Sequence, residues 1–360
     1  MTWRSLPRMR PRSADETLAG LRRLRRDGRL RLWLLLALPI PLAVIALALG
    51  RYEISLATMF QAVGRALVGQ PAATAAETLV LQVRLPRILA ALLIGAALGG
   101  SGAAFQGIFK NPLVDSNILG VTSGAGFGAA LALLLTGSLP LASLAAFICG
   151  LAAVLLAYLG AHAHGGSHTL MLTLSGILVG SFFGALTSLV KILADPLSEL
   201  PAITFWLLGG LSDVTWRSLP LLFLVTGLGG ALLLALRWRL NVLSLGDREA
   251  AALGLNTRRM KLLIVGVASL LTAAAVAVGG VIGWVGLVIP HAGRLLVGPD
   301  HRRLLPVSLS LGAAFLLVID TLARATLPRE TPLGVFTGIV GVPVLFVLLR
   351  RGRSGAGWVE

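Results

Sequence analysis

Long apolar runs separated by short, arginine-rich polar segments make up most of this chain. A bilayer hydrocarbon core about 30 Å thick is spanned by about 20 helical residues, since each adds about 1.5 Å. The pattern therefore predicts ten membrane-crossing helices, the eighth crossing only if residues 281–285 extend it. They run approximately over residues 32–49, 88–109, 118–135, 141–161, 170–193, 219–236, 262–281, 286–297, 304–322 and 332–349.

The residue composition supports the same fold class. Of 360 residues, 56% are hydrophobic and 13% are charged, whereas soluble domains carry about 25% charged residues. Aromatic residues make up 6%, and 43 residues are glycine. Small residues of this kind allow close helix packing in lipid. We therefore expect an all-α, polytopic membrane protein of about ten transmembrane helices.

The net charge of +16 reflects arginine clusters between apolar runs, so it indicates membrane topology rather than nucleic-acid binding. Ten arginines lie within residues 1–31, and three more follow the last apolar run. Both termini are therefore predicted to be cytoplasmic, which agrees with an even number of crossings. The predicted organisation is a tail over 1–31, one transmembrane domain over 32–351 and a second tail over 352–360.

Three function classes fit a polytopic helical protein. An ATP-driven transporter would need a partner ATPase, because Lys110, Lys191 and Lys261 all lack a GxxxxGK[ST] context. A gradient-driven secondary transporter usually needs a buried carboxylate or broken helices at the midplane, and Asp320 is the only acid in a confidently predicted span. An intramembrane enzyme would need a partner for His291, and none lies in its span. We therefore expect no catalysis by this chain.

The polar segment SLGDREAAALGLNTRRMK, residues 244–261, predicts a helix-turn-helix knob over 246–259. Asp247 is expected to cap a helix over 248–253, Gly254 to end it in the αL conformation, and Asn256 to cap the next helix. An ordinary solvated loop is equally compatible with this pattern. The apolar face available to a soluble partner consists of Ala250, Ala251 and Leu253.

The second predicted helix is preceded by Arg84 and Arg87, an exposed basic pair in this interpretation. Such a pair suits either a carboxylate on a partner or lipid headgroups. Glycines inside the helix recur at spacings that allow close backbone approach between helices. They are Gly95, Gly99, Gly100, Gly102 and Gly107.

Several other polar residues invite local predictions. Residues 195–216 are expected to form a partial external helix between interfacial tryptophans. Lys191 is expected to pair with Asp195 one turn later. His291, after Pro290, is expected to bond a carbonyl that the proline frees. No metal site is expected, because carboxylates at ligand spacing are missing around the three histidines of one loop. These are His162, His164 and His168.

Five blocks in order together resemble the FecCD family, the permease subunits of ATP-binding cassette importers for ferric siderophores, haem and cobalamin. The resemblance runs from Val83 to Arg351. The blocks are RLPRILAALLIGAALGGSGAAFQGIFKNPLVDSNILGVTSGAG, ADPLSELPAITFWLLGGLS, GDREAAALGLNTRR, GWVGLVIPHAGRLLVGPDHRRLLP and IDTLARATLPRETPLGVFTGIVGVPVLFVLLRR.

The resemblance implies a type II importer permease of the bacterial inner membrane. It implies a homodimer with the translocation path between its copies, two ATP-binding subunits that hold ATP and Mg, and a periplasmic substrate-binding protein. No cofactor is implied for this chain and no nucleic acid as partner, only membrane lipid. An iron complex is the default cargo, with haem, cobalamin and oxyanions as alternatives.

The resemblance also implies roles for particular residues. Binding-protein docking is implied for Arg84, Arg87 and Arg324. A cytoplasmic gate is implied for Ser167, His168 and Thr169. Coupling to the ATPase is implied for Gly246, Asp247, Glu249, Ala250, Leu253, Gly254, Leu255, Arg258 and Arg259.

Overall fold

The computed structural model of the chain describes residues 28–50, 52, 54–162, 168–326 and 331–353. These residues form helices and connecting loops, with no strand among them. The helices are α1 Gly28–Ala48, α2 Leu56–Leu67, α3 Ala75–Leu79, α4 Leu85–Phe109, α5 Val121–Thr136, α6 Leu139–His162, α7 His168–Leu193, α8 Glu199–Leu207, α9 Leu219–Leu245, α10 Asp247–Ala252, α11 Thr257–Gly279, α12 Val285–Val297, α13 His301–Thr326 and α14 Leu333–Arg353.

The all-α prediction is confirmed, and ten apolar helices correspond to the ten predicted spans. Among the described residues, eight helical spans are long and apolar enough to cross a membrane, while α5 and α12 are shorter apolar helices. Residues 281–284 do not extend α12, because the backbone turns at Gly280 and Trp284, which both have positive φ. With 13 residues, α12 is about 20 Å long and crosses only part of a bilayer.

Helix α4 lies at the centre of the bundle, where its glycines bring backbones into contact. A Cβ on Gly102 would lie 2.0 Å from the Gly286 carbonyl oxygen of α12, and one on Gly95 would lie 2.2 Å from the Gly312 oxygen of α13. Glycine alone permits these distances, so the predicted close approach is confirmed. A π-helical turn over Val80–Arg84 continues α4 back into α3.

The bundle has two ends. The knob end carries residues 246–259, and the far end carries the carboxyl end of α1, the amino end of α4 and the carboxyl end of α13. At the far end lie two short helices, α2 and α8. The partial helix predicted within residues 195–216 is α8, whereas α2, with its amino end capped by Ser55, was not predicted.

Residues 111–120, the re-entrant segment, turn back into the bundle after α4 reaches the knob end. The Ile118 carbonyl oxygen packs against Gly176 of α7, and Gly120 packs against Gly180. These glycines lie eight and twelve residues past the first residue of α7, or roughly 12 and 18 Å along its axis. Irregular backbone at such depth is tolerated only inside protein or beside water.

Three helices remain largely uncovered. The fraction of the apolar window buried within this chain is 6% for α1, 11% for α7 and 17% for α14, compared with 78% for the span ending in α4. Their exposed residues are mostly leucine, isoleucine, valine and phenylalanine. Such faces need lipid or another protein chain against them.

Candidate functional site

The far end contains a buried ionic group, the Asp320 cluster, made of Arg84, Arg87, Asp320 and Arg324. Asp320 is fully buried. Its Oδ1 lies 2.9 Å from Arg87 Nε, and its Oδ2 lies 3.2 Å from Arg324 Nε. Two guanidinium groups therefore compensate one carboxylate that could not be buried alone. A carboxylate held in this way is a structural partner rather than an ion-exchange site of a secondary transporter.

Two arginines of the cluster, Arg84 and Arg324, also bind the carboxyl end of α1. Arg84 donates to the carbonyl oxygens of Leu47, at 2.6 Å, and of Ala48, at 3.2 Å. Arg324 Nη2 donates to the Ala46 oxygen at 3.1 Å. The last carbonyls of a helix have no partner within the helix, and its carboxyl end carries partial negative charge. The cluster thus fastens a helix that is otherwise hardly buried.

The prediction that Arg84 and Arg87 form an exposed pair is wrong, since only 4% and 7% of these residues is exposed. Sequence reasoning missed their buried acceptors, which come from α1 and α13. One signal was present, because Asp320 stands one helical turn before Arg324 in an otherwise apolar span. Docking through Arg84, Arg87 and Arg324 remains a prediction.

At the knob end, helix α10 has the predicted turn but not the predicted cap. Gly254 has φ +79° and Asn256 Oδ1 accepts from the Arg259 N–H at 3.0 Å, so both of these expectations are confirmed. The cap position is Gly246, and Asp247 does not cap α10. Ala250 is fully buried under the helix, so only Ala251 and Leu253 of the predicted apolar face are exposed, together with Ala252 beside them.

The carboxylate of Asp247 binds across the turn instead. Lys261, in the second turn of α11, has its Nζ 2.7 Å from Asp247 Oδ1 and 2.7 Å from Oδ2. The same Nζ donates to Thr169 Oγ1 of α7 at 3.1 Å. The lysine side chain is 13% exposed, whereas that of Asp247 is 52% exposed. The ammonium group thus joins the knob to the first turn of α7.

Part of the predicted gate and the histidine loop lie outside the described residues. These are Ser167 and His164, together with the side chains of His162 and His168. Of the three residues predicted to form the gate, Thr169 has described side-chain contacts, and its hydroxyl accepts a hydrogen bond from the Lys261 ammonium. No group of three histidine, cysteine or acidic side chains suited to a metal occurs among the residues that the structure describes.

Pro290 frees a carbonyl within α12, but His291 does not satisfy it. The amide of Gln106, on α4, donates to the Gly286 oxygen at 3.2 Å, the position four residues before the proline. Among the described residues His291 Nε2 is buried without a hydrogen-bond partner. The predicted role of His291 is therefore wrong, because a neighbouring helix reaches the freed oxygen first.

The predicted pair of Lys191 and Asp195 is also wrong. Asp195 Oδ1 accepts from the backbone N–H groups of Leu197 and Ser198 and from the Ser198 hydroxyl, each at 2.9 Å. Its hydrogen bonds, first that from the Ser198 hydroxyl, hold the pKa of Asp195 below its usual value. The carboxylate therefore organises the loop before α8 rather than binding the lysine.

A cavity of about 1460 Å³ opens near the far end, between α6, α8, α9 and α11. Its walls include Phe147, Phe205 and Trp206, while Asp213 and Arg217 supply charge. Trp216 is fixed at its edge by a 2.8 Å hydrogen bond from Nε1 to the Leu81 oxygen. The volume exceeds that of common small-molecule sites.

Comparison with known proteins identifies the family to which this architecture belongs. The family model described as the FecCD transport family matches residues 35–351. The chain belongs to the FecCD transport family. It is 39% identical over 313 residues to the molybdate import system permease protein MolB of Haemophilus influenzae, covering 87% of this chain and 93% of that protein.

Two further comparisons agree. The hemin transport system permease protein HmuU of Yersinia pestis is 40% identical over 285 residues, covering 76% of this chain and 84% of that protein. A solved inward-facing structure of a metal-chelate type ABC transporter superposes with a TM-score of 0.80 at 38% identity, covering 89% of this chain and 98% of that chain. The chain is thus the transmembrane permease subunit of an ATP-binding cassette importer.

Proposed function

We propose that the chain forms the translocation path for a metal chelate of the iron–siderophore, haem or cobalamin type. Relatives named for iron chelatin, hydroxamate, hemin and cobalamin transport support this class of cargo. A periplasmic binding protein delivers the chelate, and two ATP-binding subunits hold ATP and Mg. The chain holds no cofactor of its own, and it lies in the bacterial inner membrane with both termini in the cytoplasm.

The observation that carries the proposed coupling to the ATP-binding subunits is the form of the knob. Leu253 is 60% exposed on a turn too polar to enter lipid, while Ala250 beneath it is buried against the bundle. A projecting apolar side chain on a rigid base suits a groove on a soluble partner. Arg258 and Arg259, both exposed, add positive charge beside it. The knob is therefore the proposed contact with the ATPase.

The uncovered faces of α7 and α14 support a homodimer. Both helices are long enough to span, yet this chain buries little of either. A second copy packed on them would cover these faces and enclose a path between the two subunits. The closed interface expected for a homodimer uses the same surface on both copies.

The re-entrant segment is the proposed lining of that path. Asn117 is exposed and directly precedes Ile118, whose carbonyl oxygen packs against Gly176 of α7. Its amide donates to Asp115 Oδ2 at 2.7 Å, and its Oδ1 accepts from the Thr122 hydroxyl. Polar groups exposed at membrane depth are stable beside water but not in lipid. An aqueous path along this segment accounts for them.

At the far end, the Asp320 cluster supports docking of the binding protein. Three arginines and one aspartate carry a net charge of +2, which attracts acidic side chains on a partner. Because Arg84 and Arg87 are buried, we propose that they contribute to docking mainly through the electrostatic field of the cluster rather than by direct contact. Arg324 is the third arginine for which the family resemblance implies docking of the binding protein.

Molybdate is a second candidate cargo. The permease of a molybdate importer matches this chain over most of both sequences. Uptake of labelled molybdate and of a labelled ferric siderophore by the same reconstituted complex distinguishes the two, because only the true cargo requires both ATP and the binding protein.

The test of the permease function is ATP hydrolysis in proteoliposomes after co-expression with the ATP-binding and binding-protein subunits. Wild-type complex should hydrolyse ATP faster when the loaded binding protein is added. Leu253→Arg should abolish ATPase binding and stimulation, because it sets a charge in an apolar groove. Failure of any ATPase to associate with the wild-type chain would overturn the proposal.

Leu197→Arg is the matched control. Leu197 is 92% exposed in the loop before α8, so the same substitution there adds the same charge far from the knob. Both variants should be recovered from membranes in wild-type amounts. Equal loss of ATPase association in the two variants would show that the defect is general rather than local to the knob.

A further inference from the structure

We propose that Lys261 transmits movement of the knob to α7, acting as a positioning residue between the ATPase contact and the permease path. The inference rests on the proposed coupling role of the knob. It assigns a function to a residue that neither the family pattern nor the sequence motifs singled out. The carrying observation is that one ammonium group binds Asp247 of the knob and Thr169 of α7 simultaneously.

The geometry makes this link a strong one. Lys261 Nζ lies 2.7 Å from both carboxylate oxygens of Asp247 and donates a hydrogen bond to Oδ2. It donates a second hydrogen bond to Thr169 Oγ1 at 3.1 Å, so one ammonium group, which has three N–H donors, binds both acceptors at once. The lysine side chain is 13% exposed, which limits competition from water.

The packing of α7 explains why such a link matters. The helices that pack extensively on α7 within this chain are α5 and α6, whereas α11 packs on α4, α5, α6, α9 and the knob helix α10. With 11% of its apolar window buried, α7 is weakly held along its length. The bond from Lys261 therefore connects a firmly packed helix to the first turn of a loosely packed one.

Movement of the knob has a direct consequence in this arrangement. Asp247 is the first residue of α10 and Leu253 directly follows its last residue, so a displacement of α10 by a partner that binds Leu253 displaces the carboxylate. The ammonium follows the carboxylate and moves the hydroxyl that it also binds. Thr169, in the first turn of α7, is one of the residues for which the resemblance implies a gate. The link would make the path at this end respond to the ATPase.

The test compares Thr169→Val with Thr173→Val in the reconstituted complex with its ATPase and binding protein. Valine keeps the shape of threonine and removes the hydroxyl. Thr173 lies one turn further along α7, and its hydroxyl bonds the Thr169 carbonyl oxygen of its own helix at 3.0 Å. It therefore controls for a lost hydroxyl on α7 that does not contact Lys261.

Thr169→Val should lower cargo transported per ATP hydrolysed by about tenfold, the factor that corresponds to one charge-assisted hydrogen bond. Stimulation of hydrolysis by the binding protein should persist, and Thr173→Val should behave as wild type. Lys261→Met should lower the same ratio, and the double variant Lys261→Met/Thr169→Val should be no worse than Lys261→Met. Such non-additivity is the signature of one shared interaction.

A physical readout complements the transport ratio. In a Cys149→Ala background, Leu170→Cys places a thiol at the knob end of α7, where the native leucine is 62% exposed. The labelling rate of this thiol should change when ATP is added to the complex that retains Lys261. In the complex with Lys261→Met, adding ATP should leave the rate unchanged. This measurement reports movement of α7 without requiring transport.

Two outcomes would overturn the inference. One is a Thr169→Val complex that transports as efficiently per ATP as Thr173→Val. The other is a parallel fall of hydrolysis and transport in Lys261→Met and Thr169→Val, which would mean that the link only supports ATPase assembly. Failure of the proposed permease function is distinguishable, because the wild-type complex would then lack stimulated hydrolysis before any variant is compared.

Discussion

Arg87 and Asp320 lie 233 positions apart in sequence and 2.9 Å apart in space. Their ion pair joins the first turn of α4 to the last two turns of α13, and both residues are buried. Arg324 approaches the other carboxylate oxygen, and through Arg324 and Arg84 the group extends to the end of α1. One buried carboxylate thus determines how three membrane helices meet.

Asp320→Asn should therefore destabilise the protein strongly. It removes the negative charge that compensates two largely buried guanidinium groups, and breaking a buried pair in this way costs about 3–5 kcal/mol. Thermal unfolding of the purified chain in detergent should show a lower midpoint. Asp213→Asn, at an exposed acid, serves as the control and should leave the midpoint unchanged. Equal midpoints for both variants would mean that the ion pairs contribute little.

A second prediction concerns the contact of α4 with α12. Gly102→Ala would place a Cβ 2.0 Å from the Gly286 carbonyl oxygen, so the helices must separate. Overpacking of this kind costs about 1–3 kcal/mol, occasionally more. The midpoint of thermal unfolding should fall.

Gly64→Ala, in α2, is the matched control for that substitution. No heavy atom lies within 4 Å of a Cβ there, and glycine inside a helix is less stable than alanine by about 0.5–1 kcal/mol. The same change should thus be neutral or stabilising in α2 and destabilising in α4. Destabilisation of equal size at both positions would contradict the packing argument.

Helix positions could be predicted because membrane spans depend on local apolar length. The prediction for 170–193, for example, differs from α7 by two residues at one end. The Asp320 cluster could not be predicted, because its contacts join α1, α4 and α13. Asp247 was assigned as a cap from its position before the helix predicted over 248–253, yet a lysine fourteen residues later offered a stronger partner. Helix α2 was missed because its apolar residues are interspersed with polar ones.

A pH effect is expected at the corner between α12 and α13. Burial of Asp300 is outweighed by hydrogen bonds from the Arg302 N–H and the Asn241 amide and by the charges of Arg302 and Arg303, which together lower its pKa. Stability from a lowered pKa is present above the unfolded value, about 3.9 for aspartate, and is lost as the pH falls through the folded value.

Thermal unfolding at a series of acidic pH values tests this corner. The wild-type midpoint should fall as the pH drops below about 4, while Asp300→Asn should start lower at neutral pH and show a weaker fall. Asp300 Oδ1 also accepts from the Asn241 amide at 2.5 Å, so Asn241→Ala should reduce the pH dependence as well. A steeper fall in either variant than in wild type would refute the assignment.

The last prediction tests whether the re-entrant segment lines water. In the Cys149→Ala background, Asn117→Cys should react with a charged, water-soluble thiol reagent, because Asn117 is exposed and directly precedes Ile118, whose carbonyl oxygen packs against Gly176 of α7. Leu119→Cys is the control two residues away, since Leu119 is fully buried and should stay unlabelled. Adding ATP to the assembled complex should change the labelling rate at 117, as expected for a path that opens alternately to the two sides. Reaction of Asn117→Cys only with a lipid-soluble reagent would place the segment against lipid, and the polar network of Asp115, Asn117 and Thr122 would then need another explanation.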